Sequence, residues 1–321
     1  DVVKMRNKDK ETLKRFKRTL EVKLPRGRGY YTFIDKCNRH LAEPFKLKGL
    51  KTNASNLCVA PETQILTDYG YFPIADLEGQ TINVWNGEQF SETTIVKTGE
   101  NQKLLKVTTS GGQILECTPY HKFYVAEGYT GRVIEKRTNE LQVGDKLIKF
   151  DLPVIEGDNV LTKAYQNGFF SADGCVVNGK SSVYFYGEKR KLTHLFDLVT
   201  HNTNESVDRE IGRVDGLKPK FFVPDASYTI ASRLEWLAGY LDGDGCVYRN
   251  GSNQQLVASS VEPEFLREIQ RMLQTLGISA KVTHMSDEGV HLLPANDGTG
   301  EYKEYLCQKS ERLLITSYDV Y

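Results

Sequence analysis

Two segments of this 321-residue chain share one pattern, and this repeat constrains the fold more than any other feature. Residues 166–174 and 237–245 each combine small and apolar residues and end in an Asp-Gly pair, at Asp173 and Asp244. Within each copy two small residues lie four positions apart: Gly168 and Ala172, Gly239 and Gly243. On a helix this spacing places them on one face, where two helices can approach closely. The repeat therefore predicts two tightly packed helices that each end at an aspartate.

The position of the two aspartates indicates a cation. A carboxylate at a helix C-terminus faces the negative end of the helix dipole, and two such groups side by side repel each other. A shared divalent ion reverses this penalty, and oxygen ligands with room for water and phosphate suit magnesium. Two surface Asp-Gly turns are the simpler alternative for one copy. The matching flanks of both copies favour Mg²⁺ binding by Asp173 and Asp244.

The segments that follow the two motifs also repeat. Residues 175–186 and 246–259 each contain an Asn-Gly pair between short apolar runs, which is typical of a β-hairpin. An amphipathic helix with Pro263 in its first turn follows the second hairpin. A weaker helical pattern follows the first hairpin, at residues 189–200. The sequence thus predicts two αββ-type units.

The second copy, LAGYLDGDG at 237–245, resembles the motif of the LAGLIDADG homing endonucleases, and residues 166–174 resemble it less closely. The resemblance implies a single-chain pseudo-dimer that cuts both strands of duplex DNA. It also implies that the final aspartates of the two motifs, Asp173 and Asp244, bind the metal. Many related endonucleases use a catalytic lysine, for which Lys220 is the candidate.

The region before this unit resembles a different family. Residues 58–67 and 112–125 resemble the first and second conserved blocks of inteins, which are self-splicing elements with a Hint fold. Short β-branched runs and glycine turns between residues 63 and 150 independently favour an all-β unit. Large inteins often carry a LAGLIDADG endonuclease between their splicing blocks, so the two resemblances support each other.

The intein resemblance assigns a reaction to three residues. Cys58 would attack the preceding carbonyl, that of Leu57, and convert the amide into a thioester. His121 would give the amide nitrogen a proton, and Thr118 would hold the amide by hydrogen bonding. A buried free cysteine and an ordinary surface histidine are the alternative interpretation of each residue alone.

Residues 1–57 differ in composition from the remainder, with sixteen Lys or Arg against six Asp or Glu. A basic arm for nucleic acid is one interpretation. However, residues 27–35 and 54–58 resemble the large subunit of ribonucleotide reductase, which implies that Asn56 contacts substrate. The similar stretch is too short to reduce ribonucleotides, so it indicates the host protein rather than an activity.

The patterns together predict an α+β chain in three parts. Residues 1–57 would be an N-extein fragment of a reductase large subunit. Residues 58–158 would form an all-β Hint domain, to which residues 311–321 return. Residues 159–310 would be the inserted endonuclease domain of pseudo-twofold αββ-type repeats. The terminal His-Asn pair of inteins is not found after residue 313, and His201-Asn202 lies between the two motifs, so only the thioester step is expected.

The charge balance limits how the predicted endonuclease can bind DNA. Residues 159–310 carry sixteen Lys or Arg and nineteen Asp or Glu, so any phosphate-binding surface must be a local stripe. Ribbons after each motif would lie in the major groove. A solvated mixed surface is the alternative for each basic candidate. The candidates are Lys180, Lys189, Arg190, Lys191, Lys218, Arg249 and Lys281.

Cysteine usage and hydropathy indicate the compartment. The six cysteines include no Cys-x-x-Cys pair, which argues against zinc. Nothing resembles a signal peptide or a membrane span, so we expect a cytoplasmic monomer with reduced thiols. Its expected partners are double-stranded DNA from the intein-free host gene and its own flanking extein segments.

Three functions remain open on the sequence. The first is a splicing element that encodes an active homing endonuclease. The second is a splicing element whose insert binds DNA without cutting it, which the weaker first motif and the acidic balance favour. The third is an inactive fragment of a ribonucleotide reductase.

Overall fold

The structure is a computed structural model. The described residues are 58–128, 132–250, 253–295 and 301–316. The chain divides into two compact units, Asp1–Asn56 and Leu57–Tyr321, and all described residues belong to the second. The predicted substrate contact of Asn56 therefore lies outside the described residues. Within these ranges no helix has the length and apolar character needed to cross a bilayer.

The first part of the described chain, residues 58–153, is rich in strands, and we call it the strand lobe. Its strands are β1 (Gln64–Thr67), β2 (Gly70–Pro73), β3 (Thr81–Trp85), β4 (Phe90–Thr94), β5 (Leu105–Thr108), β6 (Ile114–Cys117), β7 (Lys122–Glu127), β8 (Arg132–Arg137) and β9 (Lys146–Leu147). They form a sheet in the order β2-β1-β3-β4, the ribbon β5-β6 and a sheet in the order β8-β7-β9. The strand content predicted between residues 63 and 150 is confirmed.

A helix and a four-stranded sheet follow, and we call residues 164–214 the first half. Its elements are α1 (Ala164–Asp173), β10 (Gly174–Val177), β11 (Lys180–Tyr186), 3₁₀ helices at Gly187–Leu195 and Glu205–Val207, β12 (Leu198–Asn204) and β13 (Arg209–Val214). The strand order in its sheet is β10-β11-β13-β12. A cluster of buried phenylalanines, including Phe169 and Phe185, fills the space between the helix and the sheet.

The second half, residues 230–316, repeats this arrangement. Its elements are α2 (Ile230–Asp244), β14 (Gly245–Asn250), β15 (Asn253–Ser260), α3 (Pro263–Gln274), β16 (Ala280–Ser286), β17 (Gly289–Pro294), β18 (Tyr302–Cys307) and β19 (Ser310–Thr316). The sheet order is β14-β15-β19-β16, which matches the first half strand by strand when the ribbon β17-β18 is treated as an insertion. The predicted helix at α3 and both predicted hairpins are confirmed. The two halves therefore form a pseudo-twofold pair.

The helix predicted at residues 189–200 is wrong. This segment is a 3₁₀ helix up to Leu195, after which strand β12 begins at Leu198. Val199, Thr200 and Thr203 are β-branched, and this composition favours the strand that pairs with β13. Residues 189–200 thus divide between two kinds of structure.

The prediction that residues 311–321 return to the strand lobe is also wrong for residues 311–316, which lie in β19. This strand pairs with β15 on one side and β16 on the other, so it completes the sheet of the second half. Leu313 and Ile315 alternate on its buried face and join the core beneath α3. The predicted boundary near Ser310 therefore lies within the second half.

The strand lobe packs directly on the second half. The turn of ribbon β5-β6 presents the carbonyl oxygen of Gly111, which accepts hydrogen bonds from Val282 N at 3.1 Å and Gln270 Nε2 at 2.9 Å. Arg233 of α2 is fully buried, and its guanidinium donates to the carbonyl oxygen of Ile155. The contacts of Gly111 hold the lobe against β16 and α3, and the contact of Ile155 holds the segment after the lobe against α2.

Candidate functional site

Helices α1 and α2 touch through their backbones. A Cβ added at Gly168 would lie 2.8 Å from both the carbonyl carbon of Trp236 and the nitrogen of Tyr240. A Cβ added at Gly239 would lie 2.8 Å from the carbonyl carbon of Tyr165. Each glycine thus meets the carbonyl three residues before the other glycine, so the contact has twofold symmetry. The close approach predicted from the small-residue spacing is confirmed.

The acidic ends of the two helices lie within electrostatic reach of each other. Burial raises the pKa of Asp244 to about 6, the charge of Asp173 raises it as well, and Lys189 and Lys220 lower it. Asp244 is exposed at the surface, whereas the side chain of Asp173 is mostly buried. The fold therefore brings the two predicted metal ligands to one place.

Two lysines lie at these acidic ends. Lys189 Nζ is 2.5 Å from Asp173 Oδ2, and it reaches the site from the 3₁₀ helix after β11. Lys220 donates to the carbonyl oxygen of Gly174 and, at 3.4 Å, to that of Ala172. Carbonyl groups at a helix C-terminus attract positive charge. Lys220 thus lies at the end of α1 and Lys189 lies beside a carboxylate, and the catalytic role of Lys220 stays a prediction.

The donor set at this site suits a hard divalent cation. Within the described ranges no group of three or more His, Cys, Asp or Glu residues is placed to hold a metal. Magnesium, however, is commonly held by one or two carboxylates, with water and substrate phosphate completing its shell. Asp173 and Asp244 are the carboxylates that could form such a pair, and two lysines lie on neighbouring oxygen atoms.

Residues 231–320 match the LAGLIDADG-like domain family. The match includes both the second motif and strand β19, in agreement with the sheet that β19 completes. The first half repeats the same strand order around its own helix. The chain therefore carries a LAGLIDADG-like fold of the α+β class.

Two of the curated relatives of this chain are subunits of ribonucleoside-diphosphate reductase. The large subunit of ribonucleoside-diphosphate reductase from Invertebrate iridescent virus 6 is 42% identical over 326 residues, which covers 95% of this chain and 33% of that protein. The NrdEB subunit alpha of ribonucleoside-diphosphate reductase from Bacillus subtilis (strain 168) is 26% identical, over 90% of this chain and 31% of that protein. The chain thus spans about a third of the length of these relatives.

Two solved structures are similar at low identity. The N-terminal LAGLIDADG domain of DUF199/WhiA has a TM-score of 0.32 and 16% identity, covering 51% of this chain and 82% of that chain. The homing endonuclease I-DmoI, in complex with DNA and Mn, has a TM-score of 0.27 and 13% identity. The evidence for the fold is the repeated strand order and the contact between α1 and α2.

Three of the predicted DNA-binding residues are exposed on strands. Lys180 begins β11, Arg249 lies near the end of β14, and Lys281 lies on β16. Their exposure is compatible with phosphate contacts. Their role stays a prediction.

Other predicted DNA-binding residues already have partners in the protein. The guanidinium of Arg190 contacts Glu205 at 3.0 Å, Asp208 at 2.6 Å and a third carboxylate from β13. Lys191 pairs with a neighbouring glutamate, and Lys218 Nζ lies 5.5 Å from the centre of an aromatic ring. These residues do not form one free basic stripe with Lys180.

Three arginines on the strands were missed by the sequence reasoning. Arg209 and Arg213 lie on β13, and Arg312 lies on β19. On β13 they alternate with Gly212 and Val214, which are buried, so the arginines face away from the helices. This alternation is visible in the sequence of β13. Arg312 was not a candidate because residues 311–321 were predicted to belong to the strand lobe.

The predicted thiol site is also assembled. The backbone nitrogen of Thr118 donates to the carbonyl oxygen of Cys58 at 3.1 Å. Burial lowers the pKa of His121, while a hydrogen bond to the backbone of Cys58 opposes this shift. A β-bridge between Val59 and Cys117 aligns the two segments. The three residues predicted for the acyl shift therefore meet at the backbone of Cys58.

Two hydroxyl groups at this thiol were not predicted. Tyr120 donates from its Oη to Cys58 Sγ at 3.5 Å, and Thr98 Oγ1 lies 3.6 Å from the same sulfur. Tyr120 lies between Thr118 and His121 in the sequence, so its position could have marked it as a candidate. Thr98 comes from a loop distant in sequence, and no local pattern marks it.

Proposed function

We propose that the chain contains a site-specific DNA endonuclease that cuts both strands of the intein-free form of its host gene. The observation that carries this proposal is the contact of α1 and α2, which directs Asp173 and Asp244 to one site. The match of residues 231–320 to the LAGLIDADG-like domain supports a DNA substrate, because the motif resemblance implies a nuclease that acts on duplex DNA.

The residues at this site divide the chemistry between them. Asp173 and Asp244 would hold a magnesium ion, which when bound activates water and offsets the charge that develops on the phosphate. Lys220, held by two carbonyl oxygens at the end of α1, would place a positive charge beside the reacting phosphate. Lys189 would hold the carboxylate of Asp173 in a fixed orientation before DNA arrives.

Plasmid cleavage tests this function. The substrate is a plasmid that carries the uninterrupted host gene across the insertion site, incubated with Mg²⁺. We expect linear product from the wild type and none from Asp173→Asn or Asp244→Asn. Asp76→Asn, an exposed acid in the strand lobe, is the matched control and should cut normally. Specific binding without linear product would instead favour the non-cutting insert, and absence of both would reject a role in DNA.

We also propose a second function, an N–S acyl shift at Cys58. The observation in its favour is the convergence of Thr118 and His121 on the backbone of Cys58. The thiol loses its proton and its sulfur bonds to the carbonyl carbon of Leu57. The bond from that carbon to the nitrogen of Cys58 breaks, and the nitrogen takes a proton from His121.

Thiol treatment tests the acyl shift. An added small thiol should exchange with the thioester and release a fragment that ends at Leu57, identified by its mass. Cys58→Ala should release none. If the wild type and Cys58→Ala give the same full-length band after prolonged treatment, the acyl shift is wrong.

The same proposal covers the host and the partners. Residues 1–57 would be an N-extein of a ribonucleotide reductase large subunit, supported by the similarity to the viral reductase. Asn56 would contact nucleotide only in the complete reductase. The flanking extein segments would be the second partner of a monomer in the cytoplasm, beside the DNA.

A further inference from the structure

We infer that Tyr120 is a catalytic residue of the thiol site, where its phenol stabilises the Cys58 thiolate with help from Thr98. The inference deepens the proposed acyl shift and rests on it. It assigns a role on the sulfur side of the scissile amide, whereas the motif residues Thr118 and His121 contact the backbone of Cys58.

The geometry places two hydroxyl groups around one sulfur atom. Tyr120 Oη is 3.5 Å from Cys58 Sγ, with the phenol as donor, and Thr98 Oγ1 is 3.6 Å from the same atom. Sulfur is larger than oxygen, so its hydrogen bonds are longer than those between oxygen atoms. In the neutral thiol the S–H group can donate to Thr98. After ionisation both hydroxyl groups can donate to the sulfur.

A donor at this position favours the reactive form of the thiol. A hydrogen bond to an anion is stronger than one to the neutral group, so the phenol stabilises the thiolate more than the thiol. The contact with Cys58 is also the largest cause that raises the pKa of Tyr120. Tyr120 therefore keeps its proton and remains a donor while the thiol ionises.

His121 serves the other side of the scissile bond. Its ring is half-buried, and its contact with Cys58 is to the backbone rather than to the sulfur. In the proposed acyl shift this ring would act on the amide nitrogen. Tyr120 and Thr98 are both exposed at the rim of the site, so the proton of the thiol can leave to solvent. In this proposal Tyr120 and Thr98 serve the sulfur nucleophile, and His121 serves the nitrogen of the leaving group.

Alkylation kinetics test this inference on the full chain. Iodoacetamide is added at about pH 7.5, below the ordinary pKa of a cysteine, and each cysteine is followed by peptide mass spectrometry. Tyr120→Phe keeps the ring and removes only the hydroxyl, so access to the sulfur is unchanged. We expect the rate at Cys58 to fall between about twofold and tenfold, the range for loss of one hydrogen bond.

Two other cysteines and one control variant serve as references for the alkylation rate at Cys58. Cys246 is exposed and should react at the same rate in wild type and variant. Cys117 is fully buried and should stay unreactive, which reports that the variant is folded. Tyr69→Phe, at an exposed tyrosine of the same lobe, should leave Cys58 unaffected. An unchanged or faster rate at Cys58 in Tyr120→Phe would overturn the inference.

The acyl shift is scored separately, by thiol-induced cleavage after Leu57. Slower alkylation in Tyr120→Phe without cleavage in the wild type would support the role of Tyr120 and contradict the acyl shift. Cleavage in the wild type with unchanged alkylation in Tyr120→Phe would leave the acyl shift standing and overturn the role of Tyr120.

Discussion

The substitution Gly168→Ala tests the helix contact on which the acidic site depends. The new Cβ would lie 2.8 Å from two backbone atoms of α2, in Trp236 and Tyr240, and nearer still to the Trp236 carbonyl oxygen. Ordinary contacts between such atoms need about 3.5–4.0 Å, so the helices must separate by about 1 Å. No side chain can rotate away to relieve the clash, because the obstructing atoms belong to a helix backbone.

Both stability and activity should respond. Overpacking of this kind costs about 1–3 kcal/mol, which urea unfolding would register as a lower midpoint. A displacement of about 1 Å between the ends of α1 and α2 should reduce plasmid cleavage on the order of 100-fold. Gly99→Ala is the control, since its nearest neighbour is the side chain of Gln102, which can move.

The two readouts separate the possible failures of this reasoning. A stable Gly168→Ala protein that cuts at the wild-type rate would refute the close helix contact. Loss of stability with retained cleavage, measured at a temperature where the variant is folded, would show that the acids tolerate a wider separation. Loss of both in the variant but not in Gly99→Ala is the predicted outcome.

Three further substitutions probe other parts of the structure. Arg233→Met removes a buried guanidinium that donates to Ile155 O and, at 2.7 Å, to Thr275 Oγ1, and it should lower the free energy of unfolding by about 2–3 kcal/mol in urea titrations. Tyr165→Phe removes a 2.7 Å hydrogen bond to an aspartate of α2, and single-turnover cutting should slow several-fold with unchanged DNA affinity. The pKa of Asp244 is about 6 in the folded chain against an ordinary 3.8, so the folded state binds the extra proton between these values. Stability should therefore fall as pH rises through this range, and Asp244→Asn should remove that part of the slope in urea midpoints.

Much of the acidic site could be predicted from sequence because its determinants are local. The four-residue spacing of Gly168 and Ala172 fixes which face of α1 is flat, and the terminal Asp173 fixes where the carboxylate lies. The second copy predicts the flat face and the position of the carboxylate of α2 in the same way. Twofold pairing then follows from the repeat itself. The hairpin after α1 was equally local, because the Asn178-Gly179 turn sets its register.

The errors concern segments whose structure depends on distant partners. Residues 311–316 form a strand only because β15 and β16 lie on either side of them, and ribbon β17-β18 separates them from the rest of their sheet in sequence. Residues 189–200 carry both helical spacing and β-branched residues, and pairing with β13 decides the outcome. The contacts of Lys189 with Asp173 and of Thr98 with the thiol likewise join residues that no short pattern connects.

The most direct test of the central claim is the titration of one carboxyl group. The claim is that Asp173 and Asp244 share one site at the ends of the paired helices. Carbon-13 NMR of Asp244 in the full chain should give a midpoint at about pH 6, and Asp173→Asn should move it lower because a neighbouring negative charge is lost. A midpoint near pH 4, the ordinary range of an aspartate, that does not change in Asp173→Asn would contradict the claim.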